Sequence, residues 1–93
     1  MEIVNETKDT KGRFVAMEDD MELGEMTYSI ANKDLIIVDH TGVNDEARGK
    51  GIGRALFLHL VDYLRTNEIK VIPLCPFAKL MFDKHHEMTD VVR

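Results

Sequence analysis

This chain is poor in several residue types, and each shortage removes a class of protein. Only one cysteine, Cys75, occurs among its 93 residues, so an internal disulfide is impossible and the Cys and His spacings offer no structural zinc set. Basic residues number 12 against 17 acidic ones, which argues against a general nucleic-acid binder because phosphate contacts need clustered Lys and Arg. No apolar run approaches the roughly 20 residues of a membrane span. We therefore expect no metal, no nucleic acid and no membrane as partners.

What the chain does contain is typical of one small globular domain. With 93 residues, 44% of them hydrophobic and 31% charged, it can build a single core, and we expect one domain over residues 1–93. The segment Met1–Glu6 has neither the basic region nor the apolar stretch of a signal peptide. We therefore predict a cytoplasmic location.

Four strands are predicted in the first half of the chain. Alternating or apolar stretches are separated by short turns rich in Asp, Asn, Lys and Gly. The predicted strands are Glu2–Lys8, Arg13–Glu18, Met21–Ile30 and Leu35–Thr41. Short turns join neighbouring strands in an antiparallel meander, and the last strand is apolar on both faces at its start, as a central strand should be.

The second half changes to a helical period. Apolar residues recur three and four positions apart from Gly51 to about Asn67, which predicts a helix that packs flat on the sheet. Ile69–Cys75 then predicts a strand, which Pro73 restricts to an edge or a splayed position, and Phe77–Lys84 predicts a short helix. The fold class is therefore α/β (α+β): an antiparallel meander, a β-α-β crossover with parallel strands, and a short C-terminal helix.

The most informative segment is the basic, glycine-rich stretch Val43–Leu56, which joins the fourth strand to the long helix. Glycines can adopt positive φ and bring backbone N–H groups close to an anion, and a helix N-terminus adds unpaired N–H groups and a positive dipole end. Arg48, Lys50 and Arg54 concentrate positive charge there on an acidic chain. The pattern predicts an anion site; the alternative is a glycine turn that only caps the helix.

Two well-known phosphate loops do not fit this segment. A Walker loop needs Ser or Thr after Gly-Lys, but Gly51 follows Lys50. The dinucleotide pattern G-x-G-x-x-G fails because Arg54 and Leu56 stand where glycine is required.

The pattern Arg48-x-x-Gly51-x-Gly53 does resemble the acyl-CoA pyrophosphate loop of the GNAT superfamily of N-acetyltransferases, written Q/R-x-x-G-x-G/A. The resemblance implies that backbone amides of this loop hold the diphosphate of coenzyme A. The cofactor-binding residues that it implies are Val43, Arg48, Gly49, Lys50, Gly51, Ile52, Gly53 and Arg54.

Two reactive side chains, His40 and Cys75, close the predicted strands on either side of the long helix. Ligands of sheets with β-α-β crossovers bind outside the carboxyl ends of the strands, so we expect His40, Cys75 and the glycine loop to meet at one edge. Acyl transfer from a thioester to an amine needs a base, because the amine attacks only when neutral. His40 could serve as that base for direct attack, or could help Cys75 to take the acetyl group first. The sequence leaves both routes open.

Each of these side chains also has a structural interpretation. A histidine at a strand end is often a hydrogen-bonded structural group, and a lone cysteine such as Cys75 is often a small buried hydrophobe. His59 lies at the margin of the helix's apolar face and is predicted to be structural, whereas His85 and His86 are predicted to be solvated or at a helix end.

Four segments together carry a more specific resemblance: His40–Val43, Gly49–Leu56, Val71–Phe77 with its Cys-Pro-Phe, and His86-Glu87 with Asp90-Val91-Val92. They are similar to the short GNAT-like family of small single-domain N-acetyltransferases. Members have a reduced GNAT fold that binds acetyl-CoA or CoA, and the resemblance implies Cys75 and His40 as active-site groups. Nothing here corresponds to the N-terminal helices that wall the acceptor site in longer GNAT enzymes, which implies an open acceptor side.

The predicted function is therefore that of an acetyl-CoA-dependent N-acetyltransferase acting on an amine, either a small molecule or a protein or peptide. The sequence does not name that amine, and it leaves a homodimer open. The alternatives are a non-catalytic module that binds CoA or acetyl-CoA, and an interaction domain whose loop binds no ligand.

Overall fold

The computed structural model describes residues 1–93 and contains one five-stranded sheet in the order β1-β2-β3-β4-β5. The strands are β1 Glu2–Lys8, β2 Lys11–Glu18, β3 Met21–Asn32, β4 Leu35–Val43 and β5 Lys70–Pro73. β1 to β4 pair antiparallel, and β5 pairs parallel to β4. The helices are α1 Ile52–Asn67 and α2 Pro76–Lys84, with 3₁₀ segments at Asp45–Ala47 and His86–Val91. The predicted fold class and element order are confirmed, and the first 3₁₀ segment was not predicted.

The hairpin between β1 and β2 closes more tightly than the sequence predicts, and the hairpin between β2 and β3 turns at Asp19-Asp20, as predicted. Lys8 pairs with Lys11, so only two residues connect β1 to β2, and β2 starts before the predicted Arg13. Asp9 in the β1–β2 turn and Asp19 in the β2–β3 turn adopt positive φ, 56° and 55°. Aspartate tolerates the left-handed conformation better than most residues, so both tight turns form without glycine at that position.

The core lies between one face of the sheet and α1. Six residues of α1 are buried against it: Ile52, Leu56, Phe57, Leu60, Val61 and Leu64. The sheet contributes Phe14, Met26 and Tyr28 on neighbouring strands. The ring of Tyr28 lies where a Cβ on Gly12 would stand, and burial raises the pKa of Tyr28. None of the helices is long and apolar enough to cross a membrane.

The outer edge of β5 is occupied by the C-terminal segment. Val92 forms a bridge with Val71, and the N–H of Arg93 donates to the Val71 carbonyl at 3.0 Å. Arg65 on α1 holds this segment through Asp90, with nitrogen–oxygen distances of 2.7 and 3.1 Å. That ion pair raises the pKa of Arg65 and lowers the pKa of Asp90. Pro73 ends an edge strand, as the sequence predicts.

Candidate functional site

The glycine loop has the backbone conformation that its sequence predicts. Gly49 and Gly51 adopt positive φ, 82° and 75°, and a Cβ on either would meet nothing within 4 Å. Glycine is therefore needed at both positions for its conformation and not for space. The backbone N–H groups of Gly49, Gly51, Ile52, Gly53 and Arg54 have no acceptor within the chain. They are available to an anion at the N-terminus of α1.

Positive charge surrounds these N–H groups. The Arg48 guanidinium lies 3.2 Å from an Asp45 carboxylate oxygen, and both side chains are exposed. Lys50 and Arg54 are exposed and form no ion pair. Lys50 and Arg54 therefore remain free to attract an anionic ligand.

Gly53 has a different physical role from Gly49 and Gly51. A Cβ at this position would lie 2.9 Å from Cζ of Phe77 on α2, closer than real Cβ contacts. Gly53 thus lets α1 approach α2 closely. This contact joins the glycine loop to the Cys-Pro-Phe segment, and no local sequence signal indicates it.

The strands β4 and β5 part close to this loop. Their pairing ends with Val38 opposite Pro73, and the N–H groups of Leu74 and Cys75 both donate to the Val38 carbonyl, at 3.0 and 3.2 Å. Beyond this point β4 continues to Val43, paired with β3 alone. We call the region beyond Val38 and Pro73, where β4 has no neighbouring strand on this side, the gap between β4 and β5.

A bulge at Asp39 decides which face of the sheet each side chain occupies. An extra residue there shifts the register, so His40 lies opposite Thr27 and Thr41 opposite Met26. Met26 belongs to the core beneath the helices, and Thr27 points to the other face. His40 is consequently exposed on the face without helices, and Thr41 lies on the helix face.

Cys75 lies on the helix face and is only 3% exposed. It is the N-cap residue of α2, and its Sγ accepts the Ala78 N–H at 3.3 Å. Its other polar neighbour is the Thr41 hydroxyl, 3.4 Å from the sulfur. His40 and Cys75 occupy the same end of the sheet on opposite faces, and no hydrogen bond joins them. The roles predicted for His40 and Cys75, including help from His40 in forming the thiolate, stay predictions.

The face bearing His40 carries a shallow cavity of about 200 Å³. Six residues line it: Glu22, Gly24, Glu25, Gly42, Val43 and Asn44. Arg13 forms ion pairs with Glu22, Glu25 and Glu6 at 2.8 to 3.0 Å, and these hydrogen bonds raise the pKa of Arg13. Sequence reasoning missed this network, because its members come from three different strands.

The three remaining histidines belong to α1 and to the segment that follows α2. His59 packs edge-on against Phe14, with ring centroids 5.2 Å apart, as its predicted structural role requires. His85 ends α2 and stacks on Phe57, and His86 is exposed.

Comparison with known families gives a match that covers most of the chain. A sequence profile described as GCN5-related N-acetyl-transferase matches residues 13–91. The chain belongs to this family. This match confirms the GNAT family that the sequence resemblance predicted, and it confirms that the chain is an N-acetyltransferase. A comparison with curated protein sequences gives no match.

Solved structures resemble this GCN5-related N-acetyltransferase over most of its length. A GCN5-like candidate N-acetyltransferase from Staphylococcus aureus has 34% identity and a TM-score of 0.69, covering 97% of this chain and 87% of that one. The ribosomal-protein-alanine N-acetyltransferase of Brucella melitensis has 21% identity and a TM-score of 0.64, covering 92% and 64%. An acetyltransferase of Elizabethkingia anophelis with acetyl-CoA bound has 11% identity and a TM-score of 0.64, covering 83% and 53%. The last two show the fold alone, and the chain spans less than two thirds of their lengths.

Proposed function

We propose that this chain transfers an acetyl group from acetyl-CoA to an amine, with the diphosphate of coenzyme A bound by Gly49–Arg54. The observation that carries the proposal is the set of unpaired N–H groups at the start of α1, held open by two glycines at positive φ. Such groups suit the oxygens of a diphosphate, and the helix dipole adds to the attraction. The acetyl-CoA bound by the Elizabethkingia neighbour supports the same ligand here.

The gap between β4 and β5 is the place for the thioester. It opens beside the loop that would hold the diphosphate, and Val43 lies at the end of the strand that borders it. Backbone groups of β4 beyond Val38 face no strand on this side, so they can hydrogen-bond an extended ligand. Holding both reactants in place is a large part of the catalysis of such a transfer.

We assign His40 to the acceptor side. Its imidazole is exposed on the sheet face that no helix covers, so an amine can reach it from solvent. Histidine is suited to remove a proton from an amine near neutral pH. His40 can act in this way whether the amine attacks the thioester directly or attacks an acetyl group carried by Cys75. The absence of a contact with Cys75 does not affect this role.

Calorimetric titration with acetyl-CoA, followed by intact-mass analysis of the same mixture, tests this proposal. We expect saturable binding, and release of free CoA when an amine is added. An added acetyl group that Cys75→Ser abolishes would select the route through Cys75, whereas turnover without acetylated protein would select direct attack. Binding without turnover on any amine would reduce the assignment to a CoA-binding module. No binding would refute it.

A further inference from the structure

Thr41 on β4 is the one side chain within hydrogen-bond distance of the Cys75 sulfur. Its hydroxyl lies 3.4 Å from Cys75 Sγ, across the point where β4 and β5 part, and either atom can be the donor. The Asp39 bulge creates this contact, because it turns His40 to the exposed face and Thr41 to the helix face. Without the extra residue, strict alternation from Val38 would place His40 on the helix face and Thr41 on the exposed face.

We propose that Thr41 is a positioning residue that holds Cys75 Sγ and stabilises its thiolate for attack on the acetyl thioester. This inference rests on the proposed function, in the form that passes through Cys75. A thiolate would accept two hydrogen bonds here, one from the Ala78 N–H at 3.3 Å and one from the Thr41 hydroxyl. The N-terminus of α2 adds the positive end of its dipole, because Cys75 is the N-cap residue.

The atoms of this step balance without another reactant. The thiol first loses its proton to solvent, and the Thr41 hydroxyl then donates to the sulfur. The bond from Sγ to the acetyl carbon forms as the bond from that carbon to the CoA sulfur breaks. The CoA thiolate takes up a proton from solvent, so the net products are acetyl-Cys75 and CoA.

No ionised side chain forms a hydrogen bond with the Cys75 sulfur. None of the ionisable residues on the surrounding elements bonds to it, and none is fully buried. They are Asp39 and His40 on β4, Lys70 on β5, Arg54, His59, Asp62, Tyr63 and Arg65 on α1, Lys79, Asp83 and Lys84 on α2, and His85 after it. Hydrogen bonds from neutral groups therefore provide the local stabilisation of the thiolate.

The test is a pH titration of thiolate absorbance near 240 nm in the full chain, with Cys75→Ser as the blank. The chain has one cysteine and no tryptophan, so the difference signal belongs to Cys75. We expect Thr41→Val to raise the titration midpoint by about one pH unit, because it removes a hydrogen bond to a charged group. Thr41→Ser, which keeps the hydroxyl, should stay near the wild-type midpoint.

Either of two results would overturn the proposal: an unchanged midpoint in Thr41→Val, or an equal upward shift in Thr41→Ser. If Thr41→Val does not fold, as judged by thermal melting, Thr41→Ala is titrated in its place. The titration needs no acetyl-CoA, so it reports on Thr41 separately from the proposed function. Failure of acetyl-CoA to bind in calorimetry would count against the acetyltransferase assignment and leave the thiolate result standing.

Discussion

A negative charge at Gly51 should weaken acetyl-CoA binding through its position at the N-cap of α1. Gly51 has φ of 75°, and a Cβ there points into open space. Asp and Asn both tolerate this left-handed conformation better than other residues with a Cβ. The pair Gly51→Asp and Gly51→Asn therefore adds side chains of the same shape, and only one of them carries charge.

The structure allows the size of the effect to be worked out. A carboxylate about 5 Å from a phosphate charge is repelled by roughly 1 to 3 kcal/mol for effective dielectric constants between those of water and a protein surface. Because the loop is exposed to solvent, the lower part of that range applies, and about 1 to 2 kcal/mol corresponds to roughly 5- to 30-fold weaker binding. We expect Gly51→Asp to bind acetyl-CoA weaker than Gly51→Asn by that factor.

The assay is calorimetric titration of both variants and the wild type with acetyl-CoA at low and at high salt. The difference between the two variants should shrink at high salt, because screening weakens repulsion between exposed charges. Thermal melting should show similar stabilities for the two variants, since both carry the same backbone strain. Equal affinities for Asp and Asn at low salt would refute the placement of the diphosphate at this loop.

Three further predictions follow from particular contacts. Gly53→Ala should lower the melting temperature, because its Cβ would lie 2.9 Å from Phe77 Cζ and such overpacking costs about 1 to 3 kcal/mol. Adding Phe77→Leu to Gly53→Ala should recover part of the loss. A melting temperature of Gly53→Ala at or above the wild-type value would contradict the contact. The Arg65 guanidinium lowers the pKa of Asp90 from 3.8, so this pair stabilises the fold above the unfolded-state pKa, and the contribution is lost as pH falls through the folded-state pKa. Acid unfolding followed by circular dichroism should therefore show a smaller loss of stability in Asp90→Asn, and an unchanged acid transition would refute a role for the pair. His40→Gln should reduce amine-dependent release of CoA, while acetyl-CoA affinity in calorimetry stays at the wild-type value. Release of CoA at the wild-type rate would exclude His40 as the base.

Periodicity accounts for most of the fold that could be predicted. Alternation and helical spacing identified the strands and both helices because most of these elements bury one face against the same core. β1 has no buried residue, and its alternation and the turn after it identified it. Gly49 and Gly51 could be interpreted from sequence because positive φ is a local backbone property. Pro73 lies at the end of β5, the last strand of the sheet, as expected of a residue that has no N–H to donate to a neighbouring strand.

Some features of the site could not be predicted from the sequence, because they depend on contacts between distant segments. The role of Gly53 is set by the ring of Phe77 on another helix, and the Arg13 network draws carboxylates from β1 and β3. Neither leaves a pattern in its own stretch of chain. The first 3₁₀ segment, at Asp45–Ala47, was missed because three residues are too few to show a period.

By itself, the sequence determined the family and the order of the elements, because these follow from local patterns of residues, and it predicts an anion site at the glycine loop. Only the tertiary structure decided which groups meet in the gap between β4 and β5. The bulge at Asp39 is one inserted residue, and it becomes visible only when β4 is paired with β3. Because side chains alternate along a strand, that one residue separates His40 from Cys75 and brings Thr41 to the sulfur.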